Sequence, residues 1–262
     1  MSEEPRGTES KAELELILLI VSDQPEATVS KLANIQSIGP FKLQTTPTLS
    51  LHDIYLDTTN HALDRKRINL RIRGIGDSYW ITMKVRPRLI SMKRHERQEL
   101  EIPWSADSLK RIIGELGRKG VKLNLPDKIA EASSHVQVMR NLGLNVLQDR
   151  ETERVPRNVI DNAGTGEVLA EMDVDSVLYH FERGDVRLFE VELEAKSAKG
   201  RHTLGELSSR LRSDFGSDLR SWRFGKLVTG EKIERVLIDG RLTSVMRGVI
   251  LTPEAYSLVE PA

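Results

Sequence analysis

The sequence predicts an α+β protein built on a closed, antiparallel, eight-stranded β-barrel with helices packed on its outside. Two observations lead to this prediction. Charged and apolar residues alternate in short segments along most of the chain, and a period of two is typical of a β-strand. The charged residues of one segment mostly share one sign, as in Glu190, Glu192 and Glu194, and residues two apart lie on one face of a strand. Rows of one sign predict an enclosed, charged lumen.

Strands are predicted wherever this alternation or a run of strand-forming residues occurs. The eight segments are 12–21, 49–57, 68–74, 78–85, 96–102, 142–160, 166–179 and 185–195. Asp77 marks a tight turn between two of them, and Pro87 and Pro103 each end one. Because most of these segments follow one another through short turns, an antiparallel arrangement is expected.

Helices are predicted over 26–38, over most of 105–141 with a break at Gly120, and over 203–215. No linker divides the chain convincingly. We therefore predict a disordered N-terminus at residues 1–11, one barrel domain at 12–230, and a C-terminal extension at 231–262 whose role the sequence does not indicate.

Composition excludes several classes of protein. Lys plus Arg and Asp plus Glu number 39 each, and a balanced charge argues against a general nucleic-acid binder. The absence of cysteine excludes disulfides, thiolate metal sites and a cysteine nucleophile. The N-terminus lacks the pattern of a signal peptide, and the apolar stretch 16–21 is too short to cross a bilayer. We expect a cytoplasmic protein without a membrane partner.

The charged rows carry the functional information. The acidic rows are Glu13 and Glu15; Glu171, Asp173 and Asp175; and Glu190, Glu192 and Glu194, while Arg71 and Arg73 form a basic row, with Lys84 on the next strand and Arg97, Glu99 and Glu101 in a mixed row. For any single strand, a solvated charged face is the commoner explanation. Carboxylates two apart nevertheless repel by about 2–3 kcal/mol at an effective dielectric near 20, so acidic rows favour a bound counterion.

If these rows line one lumen, they suit two ligands at once. Carboxylate oxygens are the ligands that Mg²⁺ and Mn²⁺ prefer. Arginine forks and lysine ammonium groups bind phosphate oxygens. The sequence therefore predicts a site for a divalent cation together with a phosphate compound.

The segments "ELEL", "IYLDT", "LRIRG", "TMK", "RQELE", "MD" and "FEVELE", in this order, resemble the CYTH superfamily of triphosphate tunnel metalloenzymes, especially its bacterial inorganic triphosphatases. The similarity covers residues 12–230. It implies a triphosphate tunnel with Mg²⁺ or Mn²⁺, a small-molecule triphosphate or polyphosphate as substrate, and no nucleic acid. A homodimer is compatible with the resemblance.

The resemblance also implies roles for individual residues. Metal binding is expected of Glu13, Glu15, Asp173, Glu190 and Glu192; phosphate binding of Arg71, Arg73, Lys84, Arg97, Arg150 and Lys226; and a catalytic role of Glu99 and Lys226.

Two positions depart from the family pattern. The signature ExExK reads ExExI, because Ile17 stands where the lysine that contacts the terminal phosphate is expected. Gly225 replaces the serine that often precedes the lysine matched by Lys226. Metal-dependent triphosphate hydrolysis is the predicted function. The alternatives are a class IV adenylate cyclase and, because of Ile17, a triphosphate-binding protein with weakened catalysis.

Overall fold

The computed structural model describes residues 14–85, 99–123, 134–161 and 166–260. Its strands, all in one sheet, are β1 (Glu15–Ile20), β2 (Ser37–Ile38), β3 (Phe41–Thr45), β4 (Leu49–Thr58), β5 (Ile68–Ile75), β6 (Ser78–Val85), β7 (Glu99–Pro103), β8 (Leu144–Ile160), β9 (Val168–Phe181), β10 (Gly184–Ala195), β11 (Leu219–Trp222), β12 (Met246–Arg247) and β13 (Ile250–Leu251).

The helices are α1 (Pro25–Asn34), α2 (Ala62–Arg65), α3 (Ala106–Arg118), α4 (His135–Asn141), α5 (Ala198–Phe215), α6 (Lys226–Ile238) and α7 (Pro253–Val259). Among the described residues, no helix is both long and apolar enough to cross a membrane. The α+β class is as predicted.

The chain divides into two compact units. The larger unit consists of Leu14–Asp53 and Gln148–Ala262, and the smaller unit contains Ile54–Leu147. The long strands β4 and β8 contribute residues to both units.

In the larger unit, β11, β1, β10, β9 and β8 are hydrogen-bonded in that order, each antiparallel to the next. One face of this sheet packs against α1 and α5 through a large apolar core. Its buried members include Leu18 and Val191 from the strands and Leu204 and Leu211 from α5. The predicted leucine face of the 203–215 helix is therefore confirmed.

Helix α5 begins five residues before the predicted start at 203, because Ser197 caps it by accepting a hydrogen bond from the Gly200 backbone N–H. Gly200 is also required by packing. A Cβ at this position would lie 1.7 Å from the carbonyl oxygen of Leu169 on β9, so only glycine allows the first turn to approach the sheet so closely.

The opposite face of the same sheet changes from apolar to acidic along its strands. At one end, Val186 and Leu188 of β10 and Tyr179 of β9 pack with α6 and α7 in a second apolar core. Further along β10 on the same face come Glu190 and Glu192. The site described below begins where the apolar part of this face ends.

The smaller unit has its own core. Strands β5, β6 and β7 are antiparallel neighbours, and β5 alternates buried and half-buried residues along its whole length. Buried residues include Leu70 and Ile81 from this sheet and Leu109, Ile112 and Leu116 from the amphipathic helix α3. Helix α3 ends at the predicted break, where Gly120 adopts a positive φ of 81°.

The prediction of a closed eight-stranded barrel is wrong in its strand count and in its closure. The sheet has thirteen strands among the described residues, and its main hydrogen-bonded path runs from β11 to β7 without returning to its start. The eight predicted segments correspond to β1 and β4–β10. The additional strands β2, β3, β11, β12 and β13 contain two to five residues each, too few to produce a readable alternation.

One helix boundary also differs from the prediction. The predicted helix 26–38 ends at Asn34, and its last residues form β2, which pairs with β3 across Gly39 and Pro40. Position 230 lies in α6, and the segment after this helix pairs with β10 through β13 and packs Tyr256 of α7 into the core. The division of the chain at 230 stays a prediction.

Candidate functional site

Four carboxylates from two neighbouring strands lie together on the polar part of the larger unit's sheet. Asp175 is paired with Glu190, and Asp173 with Glu192, across β9 and β10. Asp175 and Glu190 are fully buried and Asp173 is nearly so. Asp175, Glu190 and Glu192 each offer an oxygen within 4.8 Å of the others, which is the spacing of a candidate metal site.

Arg154 binds this cluster from β8, where it lies directly opposite Asp175. Its Nε and Nη2 donate to the two carboxylate oxygens of Asp175 at 2.9 and 2.7 Å, a bidentate arrangement. Nη2 also donates to Glu192 at 3.2 Å, and Nη1 forms an ion pair with Asp173. One guanidinium therefore contacts three of the four carboxylates.

Lys226 is the second cation in the cluster. Its Nζ lies 2.9 Å from Asp175 Oδ2 and 2.6 Å from Glu192 Oε2, and it forms a third ion pair with Glu190. These three carboxylates are the candidate metal ligands. The ammonium thus lies among the oxygens that would surround a divalent cation.

The position of Lys226 is explained by the packing of α6, of which it is the first residue. The Tyr179 hydroxyl donates to the Lys226 carbonyl at 2.8 Å, and Gln148 Nε2 donates to the Leu227 carbonyl at 3.1 Å. One turn later, Gly230 packs so tightly that a Cβ there would lie 2.1 Å from Gln148 Nε2. Glycine at 230 therefore allows α6 to bring Lys226 to the carboxylates.

Burial and charge shift the pKa values in opposite directions within the cluster. Burial raises the pKa of Glu190, and it raises the pKa of Asp173 to about 7 despite the opposing effect of Arg154. Burial would also raise the pKa of Glu192, but Lys226 and Arg154 outweigh it and hold that pKa below the usual value. Burial opposes the charge on Lys226, whereas its carboxylate partners raise its pKa well above normal.

Glu190 has unusual surroundings. Both of its carboxylate oxygens are buried, and neither has a hydrogen-bond partner with suitable geometry among the described residues, although the Lys226 ammonium is within ion-pair distance. Burying a carboxylate without directed hydrogen bonds is costly. The donor set therefore fits a hard cation, because oxygen ligands with free lone pairs are what Mg²⁺ or Mn²⁺ requires.

Glu15 and Ile17 approach the cluster from β1. The Glu15 side chain lies near Glu192 and contributes to lowering the pKa of that acid, as a hydrogen bond from a protonated Glu15 would. Ile17 lies directly opposite Glu192 on one side and Trp222 on the other, and it is buried in the second apolar core. An apolar side chain therefore borders the carboxylates at the position where the family pattern has lysine.

Arg150 lies on the same face of β8 as Arg154 but makes different contacts. Its guanidinium is 2% exposed, and its Nη2 forms an ion pair with Asp53 at 3.1 Å while Nη1 donates to Gln148 at 3.1 Å. Arg150 is thus held by a buried ion pair, and its predicted role in phosphate binding stays a prediction.

Two of the predicted basic residues of the smaller unit, Arg71 and Lys84, form ion pairs with acids of β7. Arg71 contacts Glu101 at 3.3 Å and Thr82 at 3.3 Å, and Thr82 donates to the same Glu101 oxygen at 2.7 Å. Lys84 contacts Glu99 at 3.1 Å. Arg73 lies opposite Trp80 on β6. Glu13 and Arg97 lie outside the described residues.

Sequence reasoning did not assign roles to Arg154 and Asp175, which the structure brings into the cluster. Signals for both were present. Asp175 belongs to the acidic row of β9, and Arg154 lies four residues after Arg150, on the same face of β8. The charge alternation could have identified Arg154 as a second cation of that face, beside Arg150.

The chain combines a large antiparallel sheet, helices packed on that sheet, and a cluster of carboxylates bound by an arginine and a lysine. Comparison with known protein families identifies the class of protein. A sequence model of the CYTH domain matches residues 28–219. The chain belongs to the CYTH domain family, and the resemblance read from the sequence is confirmed. No curated protein sequence matches the chain.

Two solved structures similar to this chain each have 16% identity to it. HpAC1 from Hippeastrum, named for adenylyl cyclase and described as revealing a dominant triphosphatase activity, has a TM-score of 0.51 and is matched over 84% of this chain and 95% of that chain. A Bacillus halodurans structure, also named for adenylate cyclase, has a TM-score of 0.48 over 84% and 97%. At this identity, the likeness to HpAC1 shows the fold.

Proposed function

We propose that this chain hydrolyses a triphosphate compound with the help of a divalent cation held by Asp175, Glu190 and Glu192. The observation that carries the proposal is the convergence of these three carboxylates with Arg154 and Lys226 in a chain of the CYTH family. The triphosphatase activity described for HpAC1, whose fold is similar, supports the same reaction class.

Mg²⁺ or Mn²⁺ suits this all-carboxylate set. A bound cation of this kind neutralises charge on phosphate oxygens and polarises the bond to be broken. Glu15, which lies near Glu192, and the predicted ligands Asp173 and Glu13 would complete the acidic surroundings. The specific roles of these residues are part of the proposal.

The residues of the chain would act mainly by positioning and by stabilising charge, because phosphoryl transfer requires little covalent chemistry from the protein. Arg154 orients Asp175 and Asp173 through its planar guanidinium. Lys226, at the edge of the same cluster, would supply a positive charge for the phosphate chain. The contributions of Arg71, Arg73, Lys84, Arg97 and Arg150 to phosphate binding, and of Glu99 to catalysis, stay predictions.

The test is phosphate release by the purified chain with Mg²⁺ or Mn²⁺ and three substrates: inorganic triphosphate, ATP and thiamine triphosphate. Glu190→Gln should lower the rate by about 10²–10³-fold, since it removes a charged ligand of the cation that would stabilise the transition state. Glu194→Gln is the matched control, because Glu194 is two residues further along β10 and pairs with Lys196. Absence of phosphate release from every substrate with both metals contradicts the proposal.

Two other functions of the same site remain to be separated by experiment. A class IV adenylate cyclase would convert ATP to cyclic AMP and pyrophosphate, which chromatography of the products distinguishes from ADP and phosphate. A triphosphate-binding protein with weakened catalysis is motivated by Ile17 beside Glu192. Calorimetry would then show tight triphosphate binding without turnover.

A further inference from the structure

The Lys226 ammonium and a divalent cation require the same three carboxylates. Asp175, Glu190 and Glu192 are the candidate metal ligands, and Lys226 forms ion pairs with all three. Like charges at such short range repel strongly in a buried site. The cluster therefore cannot hold both cations in these positions.

Lys226 also leaves one of the three carboxylates, Glu190, without a well-directed hydrogen bond. Both oxygens of Glu190 are buried without a hydrogen bond of suitable geometry among the described residues, although Lys226 is close enough for an ion pair. A lysine ammonium has three donor hydrogens. The three acids carry two oxygens each, and Lys226 forms its ion pairs with Asp175 Oδ2, Glu190 Oε1 and Glu192 Oε2. A divalent cation with six or more oxygen ligands would satisfy this set more completely.

Removing the ammonium without a replacement would be costly. Lys226 is 10% exposed, and Asp175 and Glu190 are fully buried, so the carboxylates have little water to stabilise their charges. Removing one partner from a buried ion-pair network leaves the charges of the other partners uncompensated. Besides Arg154, the cluster therefore needs a second cation, and Lys226 is available whenever a metal is not bound.

We infer that Lys226 is a built-in counterion that occupies the metal position of the CYTH site and must withdraw from Asp175, Glu190 and Glu192 when a divalent cation binds. Lys226 then lowers the apparent metal affinity and holds the metal-free cluster together. Its withdrawal frees the ammonium for an anion such as a phosphate oxygen. This inference rests on the metal site of the proposed function but not on hydrolysis.

The direct test is metal titration of the wild-type chain without substrate, observed by NMR of the lysine ammonium groups. The Lys226 ammonium is buried among carboxylates, so its protons should exchange slowly and give a resolved signal, identified by its absence in Lys226→Arg. Diamagnetic Mg²⁺ should remove or shift this signal with the same midpoint as metal binding measured by calorimetry. A signal that stays unchanged while Mg²⁺ saturates the site overturns the inference.

A second test measures affinity. Lys226→Met removes the charge while keeping a long side chain, and it should tighten Mn²⁺ binding about tenfold or more, by analogy with the one to three pKa units by which a neighbouring opposite charge changes proton affinity. Lys232→Met is the matched control, because Lys232 lies on the same helix over the ring of Phe224 and should leave the affinity unchanged. Equal Mn²⁺ affinity of Lys226→Met and wild type contradicts the inference.

Three further outcomes support or contradict the inference or the proposed reaction. If Lys226→Met is unfolded in chelator and folds when Mn²⁺ is added, the metal has replaced the missing ammonium, as the inference requires. If neither wild type nor Lys226→Met binds Mg²⁺ or Mn²⁺, the inference is wrong. If competition is observed but no triphosphate is hydrolysed, the proposed reaction fails while the inference stands.

Discussion

Ile17 of β1 lies directly opposite Glu192 of β10, one of the three candidate metal ligands. On its other side Ile17 is paired with Trp222, and its side chain is 7% exposed. The boundary between the apolar and the acidic parts of this sheet face therefore lies between Ile17 and Glu192. Under the proposed function, a side chain at position 17 would lie beside the bound metal and phosphate.

Ile17→Lys is expected to increase triphosphate hydrolysis about tenfold or more, since it adds an electrostatic donor next to the cluster. It should also lower the free energy of unfolding by about 1–3 kcal/mol, because an ammonium replaces a buried apolar side chain. The measurements are phosphate release at saturating Mn²⁺ and denaturant unfolding. Ile17→Met is the control and should change neither by much. Reduced hydrolysis in Ile17→Lys would mean that the site is adapted to isoleucine.

Arg154→Met is expected to destabilise the metal-free chain by about 3–5 kcal/mol, because removing one partner of a buried ion-pair network leaves carboxylates without compensation. Arg154 contacts Asp173, Asp175 and Glu192, so the loss is shared by three acids. Denaturant unfolding in chelator gives the value, and Mn²⁺ should recover part of it. The control is Arg241→Met, whose partner Asp239 is half exposed, with an expected change below about 0.5 kcal/mol. Similar stabilities of the two variants would contradict the buried network.

The pH dependence of stability should reveal Asp173. Its pKa in the folded chain is raised from 3.8 to about 7 by burial, so between these values the folded state holds a proton that the unfolded state has lost. Asp173 therefore makes stability fall as pH rises from about 4 to about 7. Asp173→Asn should remove this contribution, and its stability relative to wild type should rise across that range, by about 1.4 kcal/mol per pKa unit at most.

Denaturant unfolding in chelator at several pH values measures this difference. Asp107→Asn is the control, because Asp107 is on the surface of α3 with its side chain 92% exposed. Its difference from wild type should not rise between pH 4 and 7. A flat difference for Asp173→Asn as well would show that Asp173 is ionised in the folded chain throughout.

Gly230→Ala should destabilise the chain by about 1–3 kcal/mol, because the added Cβ would meet Gln148 and Tyr179 at 2.1 and 2.6 Å and would displace the first turns of α6. Since Lys226 is carried by that turn, the slowly exchanging ammonium signal should also change. Gly205→Ala on α5 is the matched control, because nothing lies within 4 Å of a Cβ there. This control should be neutral or stabilising by up to about 1 kcal/mol. Equal effects of the two substitutions would contradict the tight packing of α6.

Much of the fold could be predicted because long strands produce a pattern that many residues share. Strands β9 and β10, with fourteen and twelve residues, alternate clearly, and their acidic rows lie on one face as expected. Strands β2, β12 and β13 have two residues each and could not be recognised. They form because longer neighbours supply hydrogen-bond partners, and this information is not local in the sequence.

The amino-acid sequence by itself determined the α+β class, the CYTH family and the face on which Asp173, Asp175, Glu190 and Glu192 lie, since strand periodicity is a local property of the backbone. Only the tertiary structure decided which cations these acids meet. Arg154 comes from the next strand, and Lys226 comes from a helix that begins more than thirty residues after Glu192 and is brought in by the packing of Gly230. Ion pairing depends on distances of a few ångströms, and packing between distant segments sets those distances.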